Sequence, residues 1–240
     1  MLWLFDLDNT LHDASHAIFP LISANMTTYI ARVLGGGMLP VSAESIDAAN
    51  ATRLDYMQRY GATLPGMIRH HQVCAADFLR ATHDLAGLQQ LIRAERGLAR
   101  MLRSLPGRKI VLTNAPARYS RDVMRHLRLE HQFSHHVAIE NMQVHGQLRP
   151  KPSKLMLRRL LRRHGVAAHR CVLVEDTLAN LRSARALGVR TVWVTQYLRR
   201  REPGAEAPLS RMTRMPKRPA YVDVKVKSVR QLPLRLHQLR

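Results

Sequence analysis

Five short apolar runs occur along the chain and are typical of buried strands. They are Leu2–Phe5, Ile110–Leu112, Val137–Ile139, Cys171–Val174 and Thr191–Val194. The stretches between the last four have helical spacing, and they predict helices from Pro116 towards Leu127, from Pro152 towards Gly165 and from about Leu178 to Leu187. Alternation of strands and helices predicts an α/β fold with a parallel sheet and right-handed crossovers.

The interval from about Ser15 to Gly97 does not follow this pattern. Its apolar residues recur at helical spacing, for example at Ile18, Ile22 and Met26, and the interval contains no good strand. A mainly helical insertion of this length directly after the first strand predicts a small second domain.

Length and composition exclude several other classes of protein. The chain has 240 residues, 46% of them hydrophobic and 23% charged, which is close to a globular average and excludes disorder for most of its length. Two cysteines cannot build a disulfide framework. No apolar run approaches the roughly 18 residues of a membrane-spanning helix, and the N-terminus lacks the basic region of a signal peptide. We therefore expect a soluble, cytoplasmic protein with no membrane partner.

The net charge is strongly positive. Lys and Arg number 38 against 17 Asp and Glu, which gives a formal net charge of +21. Such a charge attracts phosphorylated ligands and nucleic acids. Aromatic residues, which stack on bases, make up only 5% of the chain. A solvated basic surface is therefore favoured over a nucleic-acid-binding one.

The C-terminal residues 199–240 differ in composition from the rest of the chain. They hold 12 Lys or Arg, 3 acidic residues and five prolines, so they form a basic extension. The run Tyr221–Val226 alternates like a half-exposed strand. We expect the rest of this extension to be mobile or loosely packed.

Polar residues follow three of the predicted strands, and a lysine lies in the loop before the helix predicted to start at Pro152. These residues are Asp6, Asp8, Thr113, Asn114, Lys151, Glu175 and Asp176. Because the carboxyl ends of parallel strands meet at one edge of a sheet, we expect these side chains to lie close together. A carboxylate cluster with further oxygen donors suits Mg²⁺.

The chemistry of these residue types indicates phosphoryl transfer. Asp6 is the natural nucleophile, forming an aspartyl-phosphate. Asp8 shares a face with Asp6 in extended backbone, and it would protonate the leaving oxygen and then activate water. Lys151 and the metal would offset the repulsion between carboxylate and phosphate. Thr113 and Asn114 would donate hydrogen bonds to the phosphoryl oxygens.

Four segments resemble the signature motifs of haloacid-dehalogenase-type hydrolases, in the family's order and spacing. They are Asp6-Leu7-Asp8-Asn9-Thr10-Leu11, Thr113-Asn114, Lys151-Pro152 and Glu175-Asp176. The resemblance covers roughly residues 1–197 and implies a Rossmann-like core over residues 1–14 and 98–198, with a helical cap, residues 15–97, inserted after the first strand. It also implies Mg²⁺ bound by the Asp6 side chain, the Asp8 backbone carbonyl and Asp176, with Glu175 assisting.

Asp8 discriminates between the activities of that family. Phosphatases and phosphomutases carry an aspartate at this position, whereas dehalogenases lack it, so the resemblance implies a phosphate ester as the substrate. Many relatives place a further aspartate a few residues after the position of Asp176, where this chain has Asn180.

The cap carries a closer resemblance, to the pyrimidine 5′-nucleotidase subgroup. Its segments Tyr56–Gly66 and Arg69–His71, together with Val174–Leu181 of the core, resemble that subgroup. The resemblance implies a nucleoside monophosphate such as UMP or CMP as the substrate. Candidate contacts to the base or ribose are Arg53, Tyr56, Arg59 and Tyr60. The alternatives are a phosphatase of sugar phosphates or other small phosphometabolites, a β-phosphomutase-like enzyme, and a basic RNA-binding protein on a hydrolase scaffold.

Overall fold

The fold is taken from a computed structural model that describes residues 1–37, 42–198 and 217–239. The strands in these ranges are β1 (Leu2–Phe5), β2 (Arg108–Leu112), β3 (His135–Val137), β4 (Gln143–Val144), β5 (Gln147–Leu148), β6 (Cys171–Glu175), β7 (Arg190–Val194) and β8 (Val224–Val226). Six of them form a parallel sheet in the order β3-β2-β1-β6-β7-β8. The remaining two, β4 and β5, form an antiparallel pair.

Helices cover the sheet and build the insertion. The α-helices of the described residues are α1 (Ile18–Leu34), α2 (Ala43–Tyr60), α3 (Thr63–His71), α4 (Ala75–His83), α5 (Leu88–Leu91), α6 (Leu98–Ser104), α7 (Ala117–His126), α8 (Lys154–Arg163) and α9 (Leu178–Arg185). Among these residues, no helix is both long enough and apolar enough to cross a membrane. The parallel Rossmann-like α/β core with an inserted helical cap confirms the predicted fold class.

The central strand β1 is buried on both of its faces. Trp3 and Phe5 point into one apolar cluster, which includes residues of α6 and α7. Leu2 and Leu4 point into a second cluster, which includes residues of α8 and α9. The two sets separate because alternate side chains of a strand face opposite sides of the sheet. A strand in this position has a continuous apolar sequence, which is why the run was recognisable.

The cap has an apolar cluster of its own, built by α1 to α4. It includes Ile30, Tyr56, Met67 and Phe78. Helix α1 joins the cap to the core, because Ile18 near its start belongs to the core cluster. The short helix α5 also packs against the core cluster, although its residues lie in the segment predicted as cap.

The cap approaches the core closely at the end of α2. Gly61 ends this helix with a φ of 80°, in the left-handed region. A Cβ placed there would lie 2.4 Å from Cδ of Pro152 and 2.8 Å from the carbonyl oxygen of Lys151. Glycine is therefore required by both the backbone conformation and the available space. The contact sets Tyr60 and Gly61 of the cap beside the loop that carries Lys151.

Several predicted boundaries differ from the structure by one or two residues, and two of them have a clear local cause. The third strand ends at Val137, and Ile139 begins a 3₁₀ turn because its N–H donates to a loop carbonyl beyond the end of β2. The helix predicted to start at Pro152 begins at Lys154 instead. The reason is that Ser153 is its N-cap, and the Ser153 hydroxyl accepts a hydrogen bond from the first turn.

The C-terminal segment is packed more closely than its composition predicted. Strand β8 pairs in parallel with β7, so that Val224 lies opposite Val192. A 3₁₀ segment follows, Val229–Leu239, and its Leu232 is fully buried in the core cluster. The prediction of a strand in the run Tyr221–Val226 is therefore confirmed, whereas the expectation of loose packing is wrong for Val229–Leu239. The composition was misleading because the buried residues of this segment stand among basic and polar residues. Residues 199–216, including the run Arg199–Arg201, lie outside the described residues.

We predict that the 3₁₀ segment contributes to the stability of the core. Leu232→Ala should lower the free energy of unfolding by about 2–5 kcal/mol, because it removes buried methyl groups and leaves a cavity. Leu234, in the same segment, is 77% exposed, and Leu234→Ala should change the free energy by no more than about 0.5 kcal/mol. Denaturant unfolding of both variants and the wild type measures the difference. Equal midpoints for the two variants would contradict the placement of this segment.

Candidate active site

The register of three neighbouring strands sets the site at the carboxyl edge of the sheet. Phe5 at the end of β1 lies opposite Val111 of β2 and Val174 of β6. The residues that follow these strands therefore emerge side by side. The backbone N–H of Asp6 donates to the Val174 carbonyl at 3.0 Å, which holds Asp6 next to Glu175.

A buried lysine lies between two carboxylates. Nζ of Lys151 is 2.6 Å from Oδ1 of Asp6 and 2.7 Å from Oε2 of Glu175. All three side chains are almost completely buried. Burial alone would lower the pKa of Lys151, but the two carboxylates raise it above its ordinary value. Lys151 is therefore a permanent ammonium at the centre of the site.

The backbone of Lys151 is fixed by a side-chain amide from the neighbouring strand end. Nδ2 of Asn114 donates to the Lys151 carbonyl at 3.0 Å, and the Lys151 N–H donates to Oδ1 of Asn114 at 2.9 Å. The sequence analysis assigned Asn114 to the phosphoryl oxygens, and this positioning contact was not predicted. An amide nitrogen has two hydrogens, so the second hydrogen of Nδ2 remains for the predicted contact.

Thr113 lies at the end of β2 and is 1% exposed. Its Oγ1 accepts a hydrogen bond from the Ala115 N–H at 3.1 Å. Because the hydroxyl accepts here, its own hydrogen is left to donate. The predicted role of Thr113 as a donor to a phosphoryl oxygen is compatible with this geometry.

Three carboxylates converge beside Lys151. One oxygen each from Asp6, Glu175 and Asp176 lies within 4.8 Å of the others. Burial and the charge of Glu175 raise the pKa of Asp6 and of Asp176 well above their ordinary values. Hard oxygen ligands in this arrangement fit Mg²⁺, and a divalent cation would relieve the crowding of negative charge. The donor set therefore suits the predicted metal.

Glu175 differs from the other two carboxylates because it is already engaged. Burial alone would raise its pKa, but Lys151 lowers it to about 2. Oε2 also accepts from Nδ2 of Asn180 at 2.9 Å, and Oε1 accepts from the Thr177 N–H at 3.1 Å. These contacts suit Glu175 as a support for the metal ligands, as the resemblance implies. They also give Asn180 a defined contact, to Glu175.

Asp8 lies apart from this cluster and has its own partners. Its Oδ1 accepts from the Tyr119 hydroxyl at 2.7 Å and from Nε2 of His12 at 2.8 Å. Burial on its own would raise the pKa of Asp8, but the hydrogen bonds from His12 and Tyr119 outweigh it and lower that pKa. Burial also raises the pKa of Tyr119 well above its ordinary value, so its hydroxyl remains a donor.

The sequence analysis did not identify His12, Tyr119 or the cap residue His83. The His83 ring lies 5.7 Å from the Tyr119 ring, and burial lowers the pKa of His83 to about 4. Two signals were available. His12 is a polar residue that directly follows the signature segment Asp6–Leu11, and Tyr119 lies in the first turn of the helix that follows Thr113 and Asn114.

The sequence was compared with profiles of known protein families, and one profile matches most of the chain. The profile of the haloacid dehalogenase-like hydrolases matches residues 3–194. That stretch contains all the predicted site residues, the cap and the sheet from β1 to β7. The chain belongs to the haloacid dehalogenase-like hydrolases. This result agrees with the resemblance of the four signature segments, which implied a hydrolase of this family with Asp6 and Asp8 after its first strand.

Solved structures of other proteins share the fold. CbbY from Rhodobacter sphaeroides, in complex with phosphate, is 20% identical over 96% of this chain and 95% of its own, with a TM-score of 0.60. A HAD phosphatase from Thermococcus onnurineus is 16% identical over 98% of this chain and 97% of its own, with a TM-score of 0.59. A 2-haloacid dehalogenase from Pseudomonas syringae pv. Tomato DC3000 is 20% identical over 100% of this chain and 99% of its own, with a TM-score of 0.54. One of these proteins is named a phosphatase and another a dehalogenase, so the chemistry must be argued from the site.

We predict that this hydrolase loses stability when the central ammonium is removed. Lys151→Met leaves Asp6 and Glu175 buried without their counter-charge, which should lower the free energy of unfolding by about 3–5 kcal/mol. Lys154 is exposed at the start of α8, and Lys154→Met should cost no more than about 0.5 kcal/mol. Denaturant unfolding in EDTA at neutral pH compares the two variants. A Lys151→Met protein as stable as Lys154→Met would contradict the assigned ion pairs.

Proposed function

We propose that this hydrolase is a Mg²⁺-dependent phosphatase that cleaves a phosphate monoester through an aspartyl-phosphate at Asp6. One observation carries the proposal. Two carboxylates that are two residues apart lie in different environments, because Asp6 belongs to the acidic cluster beside Lys151, whereas Asp8 is held outside it by Tyr119 and His12. Different environments for two carboxylates are what separate a nucleophile from a proton donor.

The first step forms the covalent intermediate. A carboxylate oxygen of Asp6 attacks phosphorus, and the bond between phosphorus and the alcohol oxygen breaks. The alcohol oxygen takes a proton from Asp8, which becomes a carboxylate. Asp8 takes up this proton from solvent as the substrate binds, because the approaching phosphate dianion raises the proton affinity of a neighbouring carboxylate.

The second step returns the enzyme to its starting state. Asp8, now a carboxylate, takes a proton from water as the water oxygen attacks the same phosphorus. The bond between phosphorus and the Asp6 oxygen breaks, which releases inorganic phosphate and regenerates the Asp6 carboxylate. Asp8 therefore acts first as the acid and then as the base, and no group outside the site is consumed.

Charge compensation makes the attack of one anion on another feasible. The Lys151 ammonium already lies 2.6 Å from Asp6, so it contacts the nucleophile before substrate arrives. The Asp6 and Asp176 side chains, with the Asp8 backbone carbonyl that the family resemblance implies, would hold Mg²⁺. The metal would supply positive charge to the phosphoryl oxygens and reduce their repulsion from Asp6.

Features of the cap support a pyrimidine nucleoside 5′-monophosphate as the substrate. The Tyr56 hydroxyl is hydrogen-bonded to Nε2 of His71 at 2.9 Å, and the Tyr60 hydroxyl to Nε2 of His70 at 2.7 Å. The Tyr56 and His70 rings stack with centroids 5.3 Å apart. Tyr60, which directly precedes Gly61, brings this aromatic group towards the Lys151 loop, whereas Tyr56 is buried in the cap cluster. Aromatic rings next to a phosphate site suit a nucleobase, because every base offers a face for stacking.

Arg53 gives a second reason to favour a polar nucleoside. It lies one turn before Tyr56 on α2, and its Nε is buried without a hydrogen-bond partner among the described residues. Burial lowers the pKa of Arg53. A ribose hydroxyl or a base carbonyl would satisfy this donor, whereas a buried donor left unpaired is costly.

Two alternatives remain to be separated from the nucleotidase by experiment. A phosphatase of sugar phosphates or other small phosphometabolites would use the same core site with a different fit to the cap. The strong positive charge favours the other alternative, an RNA-binding protein on a hydrolase scaffold.

We predict that phosphate release is selective for UMP and CMP in a panel of nucleoside monophosphates and sugar phosphates. EDTA should abolish turnover, and so should Asp6→Asn, because the amide is not a nucleophile for phosphorus. Asp122 is an exposed aspartate paired with Arg125, and Asp122→Asn is a matched control that should keep wild-type rates.

Each other outcome of this panel has a definite meaning. Mg²⁺-dependent turnover spread over sugar phosphates would retain the phosphatase chemistry and reject the nucleotide assignment. Full activity in Asp6→Asn would reject the covalent route. No turnover, together with an affinity for RNA that falls steeply with salt, would favour the RNA-binding alternative.

A further inference from the structure

Among the described residues, the hydrogen bonds of the Asp8 side chain are all made by one of its two carboxylate oxygens. The Tyr119 hydroxyl and Nε2 of His12 both contact Oδ1, at 2.7 and 2.8 Å. An ionised carboxylate has no hydrogen to give, so both partners must donate. His12 therefore carries its proton on Nε2, and its Nδ1 is buried with no partner among the described residues.

This asymmetry determines where Asp8 can carry a proton. A carboxylate oxygen has two lone pairs, and Tyr119 and His12 occupy both lone pairs of Oδ1. A proton added to Asp8 must then lie on Oδ2, unless one of the two donors is displaced. Both donors are rigidly held, since Tyr119 is 2% exposed and His12 is fully buried.

We propose that Tyr119 and His12 are positioning residues that hold Oδ1 of Asp8 and so leave Oδ2 as the atom that gives and takes the proton. The inference deepens the proposed phosphatase function and rests on it. Among the described residues, the hydroxyl of Tyr119 and Nε2 of His12 both make their hydrogen bonds to Asp8, so their effect on the reaction is exerted chiefly through Asp8. The first step should therefore depend on them only when the leaving oxygen needs a proton.

A residue of the cap, His83, also packs against Tyr119. The His83 ring packs edge-on against Tyr119, and the hydroxyl of Thr82 lies 2.8 Å from Nδ1 of His83. His83 ends α4, so the contact joins the cap to the positioning residue of the core. Replacing Tyr119 by phenylalanine keeps this ring contact and removes only the hydroxyl.

The test compares two leaving groups in Tyr119→Phe. An alkyl phosphate, or the best nucleotide, leaves as an alkoxide and needs the proton, whereas p-nitrophenyl phosphate leaves as a stabilised phenolate and does not. We expect kcat/KM for the alkyl ester to fall by about 10²-fold, the size of effect that a misplaced catalytic group produces. For the nitrophenyl ester it should change by less than about threefold. The parameter kcat/KM is used because it reports formation of the aspartyl-phosphate and not its later hydrolysis.

A control variant at Tyr221 and variants at the second donor, His12, distinguish a positioning role from a general loss of activity. Tyr221 lies before β8, towards the opposite edge of the sheet, with its ring under Arg182. Tyr221→Phe removes the same hydroxyl and should leave both esters unaffected. At the second donor, His12→Leu should repeat the selective loss, and His12→Gln, which keeps an N–H donor, should recover most of it.

The outcomes distinguish the inference from the function on which it rests. An equal loss on both esters in Tyr119→Phe, or no loss on either, would overturn the positioning role and leave the phosphatase proposal intact. Absence of Mg²⁺-dependent turnover in the wild-type protein on every ester would overturn both. A selective loss on the alkyl ester, with recovery in His12→Gln, would support the assignment of Oδ2.

Discussion

The site depends on one ion-pair arrangement, the Lys151 ammonium between the carboxylates of Asp6 and Glu175. Without it, buried carboxylates this close would repel one another and could not remain ionised at low cost. The arrangement requires the parallel register that places Asp6 beside Glu175, and it requires the Asn114 amide that fixes the Lys151 backbone. A single cation thus links the sheet, the loop before α8 and the nucleophile.

The same edge of the sheet separates two aspartates that lie only two residues apart. Asp6 lies among charged groups, because it contacts the Lys151 ammonium and belongs to the acidic cluster with Glu175 and Asp176. Asp8 instead accepts hydrogen bonds from Tyr119 and His12, and Tyr119 is in contact with the cap. Their different surroundings, and not their identity as aspartates, give them different roles in the proposed reaction. The cap therefore bears on the chemistry through Tyr119 as well as on the choice of substrate.

Much of this could be predicted because the signals were local. A central strand such as Leu2–Phe5 is apolar throughout, and polar residues directly after buried strands mark the carboxyl edge of a parallel sheet. The convergence of Asp6, Lys151 and Glu175 was predicted from the sheet edge, but two individual contacts between distant segments were not. The amide of Asn114 meets Lys151 across 37 residues, and the hydroxyl of Tyr119 meets Asp8 across 111. The alternating run Tyr221–Val226 predicted strand β8, but the packing of Val229–Leu239 on the core was not predicted, because its apolar residues stand among basic and polar ones.

The covalent intermediate is the most direct test of the central claim. The wild-type protein is mixed with Mg²⁺ and its best phosphate ester, quenched in acid within one turnover, digested and examined by mass spectrometry. The account predicts a phosphoryl group on the N-terminal peptide, at Asp6, that is absent from Asp6→Asn. Phosphate released in the first turnover without any phosphorylated protein, or a phosphoryl group on another residue, would contradict it.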